Sequence, residues 1–531
     1  MLRVFKDELQ STDQFVITLE LVPGSKSAGR NVDTVKQIAA DAFADGRVSA
    51  VSITDNPGGN PSLSPDALGH EIFSVGMDVI VHFTCRDSNR VGLESRSLQL
   101  ARLGMKNILA LTGDYTGVGF GGQGAPVFDL DSVNLQTLFT HLSQRLAASG
   151  DPDAFFTGCA VSPFKQTEAE SFAQYAKLAK KAAAGAQFII TQLGYDAQKF
   201  SELTTIQKRM GITLPTLGSV YLLTPKAAQL MNRGRIPGAV VPDKLLHIIE
   251  NEWQDKAHGR AMAIERAARL GAVLKGLGYR GIHIGGIHKS FAAAAKILDR
   301  MAVIEKAWES FLPDFDFRDH GGFYAFVQAA DTKSGGLGRY GRSRPQLTWS
   351  DKFHYHMMEF THGVLFNHDN MVAPVLRRIS RWLAKAPADR IFLKLGEQPA
   401  KGLLLGCLAC GDCVIQHVAF LCPESQCPKH TRNGACGGSQ NGRCEVLPDH
   451  WCVWYRACRR WAAAGKINRM LSECVPQRLW ELNNTSSWIN FHLGKDHQGA
   501  GDHAACHCYQ KSCQLADDLY KDDGASTPEV K

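Results

Sequence analysis

The chain has 531 residues, 44% of them apolar and 21% charged. These are ordinary globular values, so extensive disorder is excluded, and the length allows about three domains or a barrel of roughly 250 residues with further modules. A net charge of +7, from 59 basic and 52 acidic side chains, is too mild for a dedicated nucleic-acid binder. The opening MLRVFKDELQSTDQ has no apolar secretory stretch and no window approaches about 18 consecutive apolar residues. A cytoplasmic chain without a membrane span is expected.

The first 290 residues alternate strand-like and helix-like segments. The predicted strands are 15–23, 50–55, 79–85, 107–114, 155–163, 188–196, 214–223 and 281–286, each short, apolar and rich in β-branched residues. Between most of them lie amphipathic stretches such as SFAQYAKLAKKAAAG at 171–185. This pattern predicts an α/β fold, a (β/α)8 TIM barrel over residues 1–310. An open doubly wound sheet is the alternative, but no G-x-G-x-x-G follows strand one. Several strands end in polar residues: Glu20, Thr54, His82 with Thr84, Asp114, and Gln192 with Asp196. Such ends form the face on which barrels build their sites, although each could also cap a helix or turn. The Gly-rich run YTGVGFGGQGAP at 115–126 could approach a phosphate or lie as a surface loop.

A helix continues over 287–313, and residues 311–400 read as a connecting segment to which the pattern assigns no chemistry. Residues 401–531 form a Cys-rich metal- or iron–sulfur-binding part with a polar tail, since 13 of the 15 cysteines lie beyond residue 400. Cys407, Cys410 and Cys413 form C-x-x-C-x-x-C, typical of a [4Fe–4S] site whose fourth Cys is often followed by Pro. Cys422-Pro423 and Cys427-Pro428 both qualify. With Cys436, Cys444 and Cys452 there are eight thiols, enough for two four-ligand sites: two clusters, or one cluster and one zinc, with an all-zinc module as the alternative. His503, Cys506, His507, Cys508 and Cys513 could hold a further metal.

The ordered set ITLELVPG, VSITD, VHFTC, LALTGD, AGAQFIITQLGYD and GIHIGG resembles the methylenetetrahydrofolate reductase family over about residues 10–310. The segment from GCLACGDC through CPKHTRNGACGG to HWCVWYRA resembles the Cys-rich module fused or partnered to some of these reductases, with Ala435 where Pro is more frequent. The resemblance implies a flavin (FAD or FMN) on a barrel that reduces 5,10-methylenetetrahydrofolate to 5-methyltetrahydrofolate, or runs the reverse. It implies Glu20 as the acid that protonates N10 when the folate ring opens; a carboxyl partly removed from water can have its pKa raised for that task. Asp114 would face the resulting iminium cation and the flavin. Thr54, His82 and Gly113 would line the flavin, and Lys180 and Lys181 would meet its phosphate-bearing arm. Gln192 would hydrogen-bond the pterin, as an amide suits that heterocycle.

Three departures from the family stand out. Thr112 replaces a frequent Arg. Leu222 lies near the place of a Phe that stacks on nicotinamide, and Lys289 replaces an Arg that contacts the folate tail, keeping charge but losing the planar fork. The missing aromatic, together with the Cys-rich module, suggests an electron-donor protein as partner beside tetrahydrofolate derivatives; an oligomeric assembly is expected. A folate-dependent methyltransferase barrel feeding a corrinoid protein is the rival reading, and a non-catalytic binding barrel the third.

Overall fold

The computed structural model describes residues 4–499 except 12, 152–154, 319–321, 329–336, 340–345, 386 and 473. The His/Cys tail at 503–513 lies outside the described residues.

Eight parallel strands close on themselves: β1 (Val16–Leu21), β2 (Ala50–Ile53), β3 (Val79–Thr84), β4 (Asn107–Leu111), β5 (Phe156–Val161), β6 (Phe188–Thr191), β7 (Thr216–Tyr221) and β8 (Gly281–Gly285). Each predicted strand is present, and pairing of Thr18 with His283 on one side and Ala50 on the other completes the ring. Closure rules out the open sheet. The physical reason is in the sequence: every strand is short, buried on both faces and followed by a helix that covers its outer side.

The barrel interior is graded. At the bottom Phe5, Phe156 and Phe188 pack with ring centroids 5.1–5.8 Å apart. The first helix is anchored there because Phe5 N donates to Asp78 at 2.9 Å. Toward the carboxyl ends of the strands the interior turns polar, with Thr18, Ser52, His82, Ser219 and His283 all buried.

Two barrel helices matter for the site. Ser132–Ala148 is capped by Asp131, whose Oδ1 accepts from Val133 N and Asn134 N. Glu168–Ala183 is capped by Thr167, whose hydroxyl oxygen accepts from Glu170 N and whose hydroxyl donates to the Glu170 carboxylate. The Gly-rich run becomes an exposed two-stranded hairpin, Val118–Gly119 with Gly122–Gln123, and gives the site no lining residue.

The C-terminal part packs on the helix Glu168–Ala183. Tyr355, Phe420, Trp454 and Trp461 share one apolar core with Ala173, Ala176 and Leu178 of that helix. Large side chains buried in this way contribute roughly 1.5–3 kcal/mol each. The helix Trp349–Leu365, in the predicted connecting segment, joins this core through Tyr355 and is held by Asp351, which pairs with Arg456 and Arg460. Among the described residues no helix is long and apolar enough to cross a membrane.

Candidate functional site

A cavity of about 560 Å³ opens at the carboxyl ends of the strands. Glu20, Thr54, His82, Gly113, Asp114, Lys181 and Gln192, expected from the sequence, all line it. Lys180 does not: its ammonium is buried 5.7 Å from the Trp454 ring centroid. Its place is taken by Lys177, which lines the cavity with Lys181 because residues four apart share a helix face. Lys289 is exposed in the loop after β8 and is not a lining residue.

Glu20, His82 and His283 converge so that one ligating atom of each lies within 4.8 Å of the others. His283 is fixed by Thr18, whose hydroxyl meets its Nδ1 at 2.8 Å, and its Nε2 stands 3.9 Å from Glu20 Oε2. Burial alone would raise the Glu20 pKa, but the neighbouring imidazole of His283, with smaller contributions from the other nearby histidines, outweighs it. The carboxyl is therefore held below its ordinary range, against the expectation of a raised value. Burial pushes His82 down to about 4, so its imidazole is neutral at pH 7. His82 Nε2, Thr54 Oγ1 and Ser162 Oγ are buried without a hydrogen-bond partner, and all three residues line the cavity. Orphaned polar atoms on a cavity wall suit the edge of a polar heterocycle, and the site residues fit a flavin and a pterin in that respect.

Asp114 lines the cavity and also accepts from Gly58 N at 2.9 Å, which ties the β4 end to the β2 loop. Gly113 has φ +90°, and a Cβ there would come within 3.0 Å of Thr84, so glycine is required. Thr112 bonds Ser132 at the start of the neighbouring helix. Arg86, fully buried beside Gly113, lines the cavity and pairs with Asp87. Gln192 accepts from Leu193 N and donates to Pro237 O at 3.3 Å. Leu222 does not line the cavity, whereas Tyr221 at the end of β7 does, so an aromatic face is supplied one residue earlier than expected.

The sequence reading missed His283, Arg86, Lys177 and Lys429. Strand alternation in GIHIGG carried a signal for His283, since Ile282 and Ile284 belong to the outer core. The i, i+4 spacing of Lys177 and Lys181 carried one for Lys177. Nothing local marks Lys429, which reaches the barrel from more than 300 residues away: its ammonium donates to Gly113 O at 2.7 Å and pairs with Glu445.

The eight thiols fall into two sets. Cys407, Cys410, Cys413 and Cys422 surround one small cavity, and Cys427, Cys436, Cys444 and Cys452 another, each of about 20 Å³. Cys436 lines the large cavity as well. Burial raises the thiol pKa of Cys410 to about 12, Cys422 to about 11 and Cys436 to about 12. Among the described residues only Glu20, His82 and His283 bring three such ligating atoms within 4.8 Å, so neither cysteine set does. A tetrahedral zinc with bonds of about 2.3 Å would draw its sulfurs to about 3.8 Å.

Residues 5–302 match the family described as "Methylenetetrahydrofolate reductase", and residues 387–481 that described as "Methylene-tetrahydrofolate reductase C terminal". A Caenorhabditis elegans protein named "Probable methylenetetrahydrofolate reductase (NADPH)" is 26% identical over 200 residues, 37% of this chain and 28% of its own. Methylenetetrahydrofolate reductase 1 of Schizosaccharomyces pombe is 23% identical over 265 residues, 49% of this chain and 42% of its own. The chain thus spans less than half the length of either relative. A solved Clostridium thermocellum protein, described as binding two copies of 5-methyl-5,6,7,8-tetrahydrofolic acid, is similar with a TM-score of 0.38 and 12% identity, over 57% of this chain and 99% of that one. With more than half its length matching the family, in a closed eight-stranded barrel, the chain belongs to the methylenetetrahydrofolate reductases.

Proposed function

We propose that the protein interconverts 5,10-methylene- and 5-methyltetrahydrofolate with a bound flavin, and that its two cysteine sets hold [4Fe–4S] clusters that exchange electrons with an outside protein donor or acceptor. The observation that carries this reading is the shared cavity: Lys429 and Cys436 of the Cys-rich part line the same space as Glu20, Asp114 and Gln192. The C-x-x-C-x-x-C run at Cys407, Cys410 and Cys413, with a fourth Cys before proline, favours a four-iron cube over zinc.

When bound, the flavin supplies hydride exchange with the folate one-carbon unit. Thr54, His82, Ser162 and Gly113 shape its wall, Gln192 orients the pterin, and Asp114 presents a carboxylate to the cationic iminium form of the folate. Glu20 handles the N10 proton. In the reductive direction it gives that proton as the ring opens. In the oxidative direction its carboxylate takes the proton as the ring closes. Held below the ordinary carboxyl range, Glu20 stands as the carboxylate that the oxidative direction uses, and the reductive direction needs it protonated first.

The test is one anaerobic sample of the full chain, assayed for flavin, iron and zinc, and for 5-methyltetrahydrofolate oxidation with an artificial electron acceptor. Flavin, about eight irons (two cubes of four) and folate turnover are expected. A flavin-free protein that passes methyl from the folate to a corrinoid would overturn the reading in favour of a methyltransferase.

A further inference from the structure

The first thiol set has a helical wall. A run through Ala388–Ile391, Phe392–Glu397 and Gln398–Leu405 turns Leu393, Glu397, Lys401 and Leu405 to the small cavity that Cys407, Cys410, Cys413 and Cys422 surround. Gln398 donates to Cys407 O at 2.7 Å and Lys401 pairs with Glu397 at 2.6 Å, so the wall is tied in place. Other side chains of the same run are bare and apolar: Ile391, Leu395, Leu403 and Leu404 are exposed, Leu395 to 78% and Leu403 to 89%. Leu408, inside the C-x-x-C-x-x-C run, lines the small cavity and is itself 54% exposed. The first set therefore lies within one helix thickness, ~10–12 Å, of an exposed apolar surface.

A second helix, Ala373–Leu383, adds to it. It packs against Ser487–His492, whose Trp488 ring stands 5.4 Å from Phe392 by centroids. It buries Ala373 and Ser380 and exposes Val375, Ile379 and Trp382, an i, i+4, i+7 stripe that a core-facing helix would bury. Charge here is one-sided. From residue 378 to 394 the chain carries Arg378, Arg381, Lys385, Arg390 and Lys394 against Asp389 alone. All five cations are exposed, and among the described residues none has an ion-pair partner. This helix lies outside both matched families.

Exposed apolar side chains among unpaired cations fit a partner that brings apolar contact and negative charge together. A second copy of this chain brings the same cations and is repelled. A lipid surface satisfies the charge but would seal the face over the first thiol set from any redox partner. We infer that this face docks an acidic one-electron carrier protein, which exchanges electrons with the first thiol set beside Leu408. This rests on the electron-exchange reading above. Two encounters supply two electrons which, with two protons from water, convert one methylene group to methyl, and each carrier is oxidised by one electron. In the opposite direction each carrier is reduced by one.

The full-length protein is mixed anaerobically with a reduced acidic [4Fe–4S] ferredoxin, or with a small uncharged reduced dye, and flavin bleaching is followed by stopped flow. Both should bleach the flavin. The ferredoxin rate should fall at least about 10-fold between roughly 50 and 500 mM salt, as charge-steered encounters do, while the dye rate holds. Arg378→Glu/Arg381→Glu/Lys394→Glu should lower the ferredoxin rate at low salt by at least about 10-fold and flatten its salt dependence, with dye rate and iron content unchanged. Trp382→Ser/Leu395→Asn keeps the charge and should lower the ferredoxin rate at every salt concentration. No reaction with ferredoxin, or a rate indifferent to salt and to both variants, would overturn the inference and leave the flavin reading standing. Absence of bleaching by the dye as well would overturn both. Sedimentation with phosphatidylserine vesicles reads the rival occupant: vesicle binding lost in the charge-reversed variant, with the ferredoxin rate untouched, would assign the face to a membrane surface instead.

Discussion

The Lys429 ammonium, two residues after the Cys427 ligand candidate, donates to the carbonyl of Gly113 at the end of β4 at a distance of 2.7 Å. One hydrogen bond thus joins the CPKH turn of the Cys-rich part to the LTGD strand end of the barrel. Lys429 also pairs with Glu445, and both side chains are less than a tenth exposed. Burial alone would lower the Lys429 pKa, but Glu445 and the neighbouring Cys436 hold it above the ordinary lysine range.

Lys429→Met leaves the Glu445 carboxylate buried without its partner. Loss of one member of a buried pair costs roughly 3–5 kcal/mol. A urea unfolding midpoint lowered accordingly is expected, with most of the loss recovered in Lys429→Met/Glu445→Leu. Equal stability of the single variant and the parent would remove this pair from the account of how the two parts hold together.

Glu20→Gln should keep flavin affinity and lower folate turnover in either direction by at least about 10²-fold. For methyl-folate oxidation the rate of the parent should fall with decreasing pH as the Glu20 carboxylate takes up its proton, because the base is active when ionised. His283→Asn should move that acid limb to higher pH, since the neighbouring imidazole that favours ionised Glu20 is gone. A limb that stays in place would separate His283 from the proton chemistry.

Cys436→Ser and Cys410→Ser remove ligands from different sets. Each should lower iron content by about half, in line with one cube of four per set. The set containing Cys436 borders the large cavity, so its loss should abolish electron exchange between dyes and the flavin, read as the rate of flavin bleaching by a one-electron dye. Zinc in both sets, with flavin bleaching untouched by Cys436→Ser, would make the module structural.

His362 is buried between Phe366, 4.8 Å away by ring centroids, and Phe420 at 5.7 Å. Burial, with the positive charge of Lys401, His417 and Arg469, lowers its pKa from 6.5 to about 3. Above the ordinary pKa neither folded nor unfolded chain carries this proton. Below it the unfolded chain binds the proton and the folded chain does not, so stability falls as pH falls toward 3. The loss is about 1.4 kcal/mol per pH unit from this group. Unfolding midpoints of the parent should drop more steeply between about pH 6 and 4.5 than those of His362→Leu. Parallel curves would show that His362 is not the group concerned.

Eight strands and their order were legible in the sequence because each is a short, β-branched, doubly buried run, a property of about six residues at a time. Glu20, Thr54, His82, Gly113, Asp114 and Gln192 were legible for a related reason: closure of the barrel brings all strand ends to one face, so position along a strand already implies position in the site. Cysteine spacing raised the expectation of metal ligation. It could not divide eight thiols into two sets, because Cys422 and Cys427 both stand before proline and only the packed chain shows that Cys422 joins Cys407 while Cys427 joins Cys436. Lys180 and Lys181 look alike as letters; the helix turn sends Lys180 beneath Trp454 and pairs Lys181 with Lys177 instead. The lowered proton affinity of Glu20 needs His283 from the far end of the barrel sequence, and the docking of the Cys-rich segment on the barrel needs Asp131, Lys177 and Gly434 together. Those contacts span about 260 to 300 residues (order of magnitude, since charge and packing act through space rather than along the chain). The local sequence determined the elements and their chemistry; only tertiary contact decided which charged groups meet and where the Cys-rich segment docks.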